Sequence, residues 1–348
     1  MSRIYGPVPS RRLGQSLGVD PVPFKACNYN CVYCQLGRTT PVIHERKDFF
    51  PPEDILAEVR RALAAHRSGE IDYVTFVGQG EPLLCASLGR LLRGVRALTQ
   101  IPIAVITNGS LMSRSEVRHE LGVADVVIPS LDAADQATFR RIVRPGPELK
   151  VGEIIEGMAA FRDIFRGQLW IEVMLVKGLN DSEPVLVKLA RALGRIRPDQ
   201  VHVNTPVRPP AEAWVEPPAS QGLMRAIAIL GEVATVLTPA QGSIELAPDM
   251  EPEDAVVEII RRHPIREQEL LKTLARFGTE RLKATLAALV ESERAIRHSY
   301  RGQVFWEYAG GRFGRPRRAV DHARTSARLP DRVSSGGFDS GHSISTEP

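Results

Sequence analysis

The chain has 348 residues, 43% of them apolar and 25% charged, with a formal net charge of +4. These values exclude a wholly disordered chain, a collagen-like chain and a disulfide-stapled mini-protein, and they leave room for a sizeable core and two domains. The longest apolar runs, near Ile103–Ile106 and Asp125–Ser130, fall far short of a bilayer span, and Met1–Pro7 carries no apolar signal core, so a cytoplasmic protein with no membrane partner is expected. The basic excess is uneven. From Gly310 onward seven arginines face four acids in a Gly/Ser/Arg-rich stretch, so residues 1–309 are close to neutral and 310–348 are expected to be a disordered tail.

In chain order, mostly β-branched runs closed by Gly, Pro, Asn or Ser predict strands at Ser16–Asp20, Tyr73–Val77, Ile103–Thr107, Asp125–Ser130, Leu169–Val176 and Gln200–Asn204. Amphipathic helices alternate with them. Glu53–Ser68 follows Pro51-Pro52, a favoured helix entry, and Ser87–Leu98 aligns Leu88, Leu91, Leu92 and Val95 on one stripe. Arg114–Leu121, Gln136–Val143, Glu153–Phe165 and Val185–Arg195 continue the rhythm. Strands separated by helices predict a parallel sheet, because parallel neighbours need a crossover. Six such units predict an α/β fold, either a partial (β/α)6 barrel or a strongly curved open sheet, with reactive groups at the C-terminal strand ends.

Residues 207–219 are proline-rich and read as an excursion or linker, and a helix over Ser220–Val236 would complete a first domain at 1–247. A second pattern fills 248–309: helices at Asp254–Arg262, Ile265–Phe277 and Thr279–Glu291, then strands at Arg294–Tyr300 and Gln303–Tyr308 joined by Arg301-Gly302. That is the outline of a small winged-helix-like module. Packing or partner binding is its plainer use. Nucleic-acid docking through Arg281, Lys283, Arg297 and Arg301 is the sharper one, though Glu280, Glu291, Glu293 and Glu307 nearly balance those charges.

Three of the four cysteines, Cys27, Cys31 and Cys34, lie within eight residues, just after the first predicted strand, while Cys85 stands apart and reads as a small buried apolar residue. Without a signal core, such a trio points to a metal centre rather than to disulfides. A closed zinc site wants four protein ligands and would have to recruit Cys85 or a histidine such as His44. An iron–sulfur cube normally takes four thiolates, so three leave one iron open. A catalytic cluster, a simple electron carrier and a non-catalytic zinc-dependent nucleic-acid-binding protein are therefore the competing readings.

Cys27-x-x-x-Cys31-x-x-Cys34, with Tyr33 before the last cysteine, resembles the signature of radical S-adenosylmethionine (SAM) enzymes, and the resemblance covers roughly residues 10–240. It implies a partial barrel and a [4Fe–4S] cluster on the three cysteines, with the amine and carboxylate of SAM on the remaining iron. It also implies reductive cleavage of SAM to a 5′-deoxyadenosyl radical that abstracts hydrogen from a substrate, with RNA, a peptide and a small metabolite all open, and a flavodoxin- or ferredoxin-like electron donor. Gly78-Gln79-Gly80-Glu81-Pro82 is similar to the family's Gly-Gly-Glu motif, which implies that Gly78, Gly80 and Glu81 hold the methionyl amine. By the same resemblance Tyr33 backs the adenine, Asn108 lies in a polar turn at the third strand end, and Ser130 with Asp132 meets the ribose. Glu172, Lys177 and Asn204 are weaker candidates for the barrel interior.

The opening Tyr5–Gly14 and the run Cys34-Gln35-Leu36-Gly37 resemble a less defined group, itself similar to the wyosine-type tRNA base synthases. Arg11 and Arg12 are candidates there for an anionic substrate or the cofactor carboxylate. The wyosine enzymes carry extra cysteines for a second cluster, and this chain departs from them by having only Cys85 to spare.

Overall fold

A computed structural model describes residues 2–237, 246 and 250–311. The tail expected at 310–348 lies, from residue 312 on, outside the described residues, as does the boundary expected at 247/248.

The fold begins with a hairpin of β1 (Ile4–Ser10) and β2 (Gly14–Val19), paired antiparallel. Strands β3 (Tyr73–Phe76), β4 (Ile103–Thr107), β5 (Val126–Pro129), β6 (Gln168–Met174), β7 (Gln200–Asn204) and β8 (Ala234–Val236) follow, each parallel to the one before it. The result is one eight-stranded sheet whose spatial order is the chain order, running from β1 at one edge to β8 at the other. The expected α/β class with a parallel sheet is therefore present, and the six expected strands are β2–β7.

Helices α1 (Pro52–Ala65), α2 (Leu88–Leu98), α3 (Ser115–Leu121), α4 (Gln136–Ile142), α5 (Val151–Ile164), α6 (Glu183–Ile196) and α7 (Ser220–Leu230) make the crossovers. Each presents an apolar stripe: in α2, Leu88, Leu91, Leu92 and Val95 are all fully buried. One sheet face packs on these helices through residues such as Val74, Phe76, Val105, Val127, Ile171 and Val203. Because side chains alternate along a strand, the residues between them face the other way. There Leu13, from the β1–β2 turn, packs with Ala104, Val126, Ile128 and Trp170. Two residues beyond Trp170 on the same face stands Glu172, and the face becomes polar.

A second core lies in the C-terminal segment, where α8 (Pro252–Arg262), α9 (Glu267–Thr273) and α10 (Thr279–Glu291) bury Val256, Ile260, Leu270, Leu282, Leu286 and Leu289 together with Trp306. Strands β9 (Ile265–Arg266), β10 (Ala295–Tyr300) and β11 (Gln303–Tyr308) form an antiparallel sheet in the order β10-β11-β9.

Three elements differ from expectation. Residues 4–10, where no strand is expected, form β1; Pro7 and Pro9 are tolerated because an edge strand has a partner on one side only. The helix expected over Ser220–Val236 stops at Leu230, where Gly231 adopts φ 93°, and Ala234–Val236 joins the sheet. The helix expected over Ile265–Phe277 starts only at Glu267, because Ile265 and Arg266 pair with Trp306 and Phe305 of β11.

Helix α5 is packed too closely for one of its own glycines to change. A Cβ on Gly157 would lie 2.3 Å from the Met112 carbonyl oxygen. Helix propensity alone favours alanine by roughly 1 kcal/mol, but a backbone carbonyl cannot yield as a flexible side chain can, so the clash dominates. Gly157→Ala is expected to lower the denaturation midpoint, by about 1–3 kcal/mol; a midpoint raised by the substitution would show that the close packing is not there.

Candidate cofactor site around the cysteine loop

The cysteines occupy the loop that leaves the C-terminal end of β2. All three are free thiols and half-buried. Backbone bonds fix the loop from several sides: Asn30 N–H to the Val143 carbonyl (3.0 Å) and Val32 N–H to that of Ile142 (3.0 Å) tie it to the end of α4, and Ile43 N–H donates to the Cys27 carbonyl (2.9 Å). Glu212 closes the far side. Its N–H donates to the Val32 carbonyl (3.0 Å), and its carboxylate accepts both forks of Arg38 (2.9 and 2.8 Å) and Arg144 (2.5 Å). The Arg38 hydrogen bonds are the leading cause that holds the Glu212 carboxyl below the usual range.

Burial pushes the Cys27 thiol up to about 12 and raises Cys31 well above the ordinary thiol range, with the neighbouring acids and thiols adding to the effect. Thiols so placed become ligands only where positive charge draws off the proton, as a metal centre does. Local donors already point at the sulfurs: Lys25 Nζ is 3.3 Å from Cys34 Sγ, Tyr29 N–H 3.4 Å and Asn108 Nδ2 3.7 Å from Cys27 Sγ. The extra ligands a closed zinc site would need are engaged elsewhere. His44 Nδ1 pairs with Glu148 (2.7 Å), and buried Cys85 faces Asp48 at 4.0 Å. Among the described residues no three His, Cys, Asp or Glu groups converge on one metal ion.

Beside this loop, β3 ends in Gly78–Glu81. Lys25 N–H donates to the Gln79 carbonyl and Glu81 N–H to the Ala26 carbonyl, both at 2.8 Å. Glu81, 1% exposed, is turned inward: it accepts from Leu83 N–H (2.9 Å), Thr107 Oγ1 (2.5 Å) and Asn108 N–H (2.7 Å). Burial lifts its pKa to about 7. Asn108 donates its amide to Asn28 Oδ1 (2.8 Å), and Asn28 in turn donates to Ser110 Oγ (2.7 Å).

The Tyr33 hydroxyl donates to Asp132, whose other oxygen accepts from Met174 N–H at 2.8 Å. Asp132 is buried, and that burial raises its pKa to about 7. Ser130 stays half-buried at the end of β5, bridged to Glu172. Glu172 accepts from Arg12 and Asn204 on the polar sheet face, with His202 nearby, whereas Lys177 is exposed and paired with Glu216 at 2.7 Å.

Of the expected residues, Asn108 reaches Cys27 and Glu81, and Tyr33 meets Asp132. Asp20, Asn28 and Glu212 escaped sequence reasoning. Asp20 accepts from Gln79 N–H (3.0 Å) and so holds the Gly78–Gly80 loop, and only its position at a strand end marks it in the sequence.

The pattern of the Radical SAM superfamily matches residues 22–190, the stretch holding the cysteines, the Gly78–Glu81 loop and Asp132. A UPF0026 protein of Methanocaldococcus jannaschii is 36% identical over 311 residues, covering 88% of this chain and 96% of its own length. The chain belongs to the UPF0026 family, within the radical SAM superfamily. It is thus an enzyme of the radical SAM class. It is also similar to a GTP 3′,8-cyclase of Marinobacter nauticus, 31% identical over 170 residues and 47% of each chain. A solved radical SAM methyltransferase from Sphaerobacter thermophilus is 22% identical, with a TM-score of 0.46 over 64% of this chain and 66% of that one. Among the described residues of this radical SAM protein, no helix is long and apolar enough to cross a membrane.

Two outcomes test the geometry. Glu212→Ala leaves Arg38 and Arg144 without their shared partner and frees the loop, so a loss of about 1–3 kcal/mol in chemical denaturation is expected; an unchanged midpoint removes the clamp. Asp132 has its folded pKa, about 7, above the ordinary 3.8. Its contribution to stability is therefore complete below about pH 4 and is lost as pH rises through 7. The melting temperature of metal-free protein should fall over that window, and Asp132→Asn should flatten the fall; an equal slope in the variant assigns it to other groups.

Proposed function

We propose that Cys27, Cys31 and Cys34 hold a [4Fe–4S] cluster with one iron left for SAM, on a sheet curved into a partial (β/α)6 barrel. The observation that carries this is a donor set of three free thiols on one braced loop, with the two obvious recruits for a closed zinc site, His44 and Cys85, already engaged. Family membership and the match over residues 22–190 support it. Bound there and reduced, the cluster would supply the electron that splits the sulfonium of SAM and yields a 5′-deoxyadenosyl radical for hydrogen abstraction from the substrate.

This chain's residues have distinct tasks in that scheme. The Gly78–Gly80 backbone offers carbonyl acceptors for the methionyl ammonium, and the absence of a side chain at Gly80 lets that loop lie against the Ala26 carbonyl of the cysteine loop. Glu81 shapes that backbone from within and lends it negative potential. Tyr33 flanks the adenine, fixed in orientation by Asp132, while half-buried Ser130 and Asn108 remain for ribose and cofactor edges. A flavodoxin- or ferredoxin-like protein re-reduces the cluster.

The C-terminal segment, with three helices and a β-hairpin, is read as winged-helix-like. Its basic residues favour a packing role over nucleic-acid docking, because Arg281 pairs with Glu251 (2.7 Å), Lys283 with Glu280 (2.9 Å) and Arg297 with Glu267 (2.7 Å).

Anaerobic purification should yield about four irons and four sulfides per chain. Reduction with SAM present should release 5′-deoxyadenosine, and Cys31→Ala should lose both. One zinc and no iron would sink the proposal; a cluster without 5′-deoxyadenosine would make the protein an electron carrier.

A further inference from the structure

The loop that carries the cysteines opens on a residue in a costly backbone state. Lys25 has φ 62°, the left-handed region that a residue without a Cβ enters most cheaply. Its N–H donates to the Gln79 carbonyl at 2.8 Å, so the tie to the end of β3 holds it there. Glycine would meet the same backbone demand at lower cost, and a lysine in its place directs attention to the side chain.

That side chain closes the loop on itself. Lys25 Nζ donates to the Gly37 carbonyl at 2.7 Å and lies 3.3 Å from Cys34 Sγ. Both acceptors belong to one turn, closed by the Gly37 N–H on the Cys34 carbonyl at 3.1 Å, with Gly37 itself at φ 83°. One ammonium thus links the start of the loop to its end and touches a sulfur on the way. The other donors at these sulfurs, Tyr29 N–H and Asn108 Nδ2, are neutral, and both reach Cys27. Among the described residues, Lys25 is the donor that brings a full positive charge to a sulfur of the trio.

A cation beside a thiolate ligand favours whichever state of a metal centre is the more negative, and hydrogen bonds to the sulfurs act in the same direction. Reduction adds one electron, supplied by the ferredoxin-class donor; it forms and breaks no bond and moves no proton, so the reduced state is the more negative one. We propose that Lys25 raises the reduction potential of the cluster on Cys27, Cys31 and Cys34 by holding its ammonium against Cys34. Acting through Cys34, it is a positioning residue that eases delivery of the electron. This role rests on the cluster proposed above.

The test is a redox titration, followed by electron paramagnetic resonance, of anaerobically purified full-length protein without SAM, with iron, zinc and sulfide counted in every sample. Lys25→Met and Lys25→Gln remove the charge but keep an extended side chain. Each is expected to leave about tenfold less reduced cluster at a fixed potential, a downward shift of about 59 mV for one electron. Lys25→Arg restores the charge and should titrate close to the wild type. Lys25→Gly relieves the backbone and should show the same fall as Lys25→Met, which assigns the effect to charge and not to strain. Lys188→Gln, at an exposed position on α6, should leave the potential where it is. A wild-type potential in any iron-loaded neutral variant of Lys25 overturns the proposal, as does an equal fall in Lys25→Arg. Neutral variants that purify without iron make Lys25 a builder of the loop and overturn it too. Zinc in place of iron in the wild type defeats the cofactor proposal and this one with it, whereas an unmoved potential in iron-loaded variants defeats the role of Lys25 alone.

Discussion

The Ala26 carbonyl and Gly80 approach so closely that a Cβ on Gly80 would lie 2.0 Å from the carbonyl oxygen. The rest of the site depends on this approach. It is flanked by the two backbone hydrogen bonds between residues 25–26 and 79–81, so the start of the cysteine loop is stitched to the end of β3. Space, not an unusual backbone angle, demands the glycine, since any side chain would push apart two main-chain segments that nothing flexible separates. The parallel register of β2 on β3, Val19 against Phe76, delivers both segments to the same end of the sheet. Sheet register and cysteine loop are thereby one construction.

Around that stitch, buried acids act as internal ties. Glu81 joins the β3 loop to the end of β4, and Asp132 joins Tyr33 to the end of β6. A carboxyl taken out of water is costly unless donors satisfy it, and each of these has two or more. What they give up is availability to a ligand; what they provide is a backbone that cannot drift. Glu172 differs, being matched by a full positive charge on Arg12, and it sits on the open sheet face rather than at the stitch.

The parts legible in the sequence were those whose signal is local. Strands β2–β7 are compact, mostly β-branched runs, and the cysteine trio announces itself within eight residues. Strands β8 and β9, of three and two residues, exist only because a partner strand lies alongside, and no periodicity reveals that. Glu212 was hidden for the same reason: it sits in a proline-rich stretch and gains its meaning from Arg38, 174 residues earlier in the chain. Asn28, which lies between Cys27 and Cys31 and carries no signal of its own in the sequence, is a buried link between Asn108 and Ser110. Glu81 was legible as important but not in its direction, because a motif gives residue type and spacing while hydrogen bonds decide which way an acid turns.

The C-terminal helices extend this logic to the polar face. Their outward cations are mostly neutralised within the segment, while the groups turned toward the sheet are aromatic or stacked: the Arg262 guanidinium lies 3.7 Å over the Tyr5 ring, Tyr308 meets Phe24 edge-on at 6.1 Å, and the Tyr300 hydroxyl donates to the Pro206 carbonyl at 3.3 Å. Tyr5 in turn covers Gly18, where a side chain would collide with its ring. A segment attached this way covers part of the β1–β2 hairpin and packs beside Phe24, ahead of the cysteine loop. The same packing that builds the second core therefore also holds the segment against the β1–β2 hairpin.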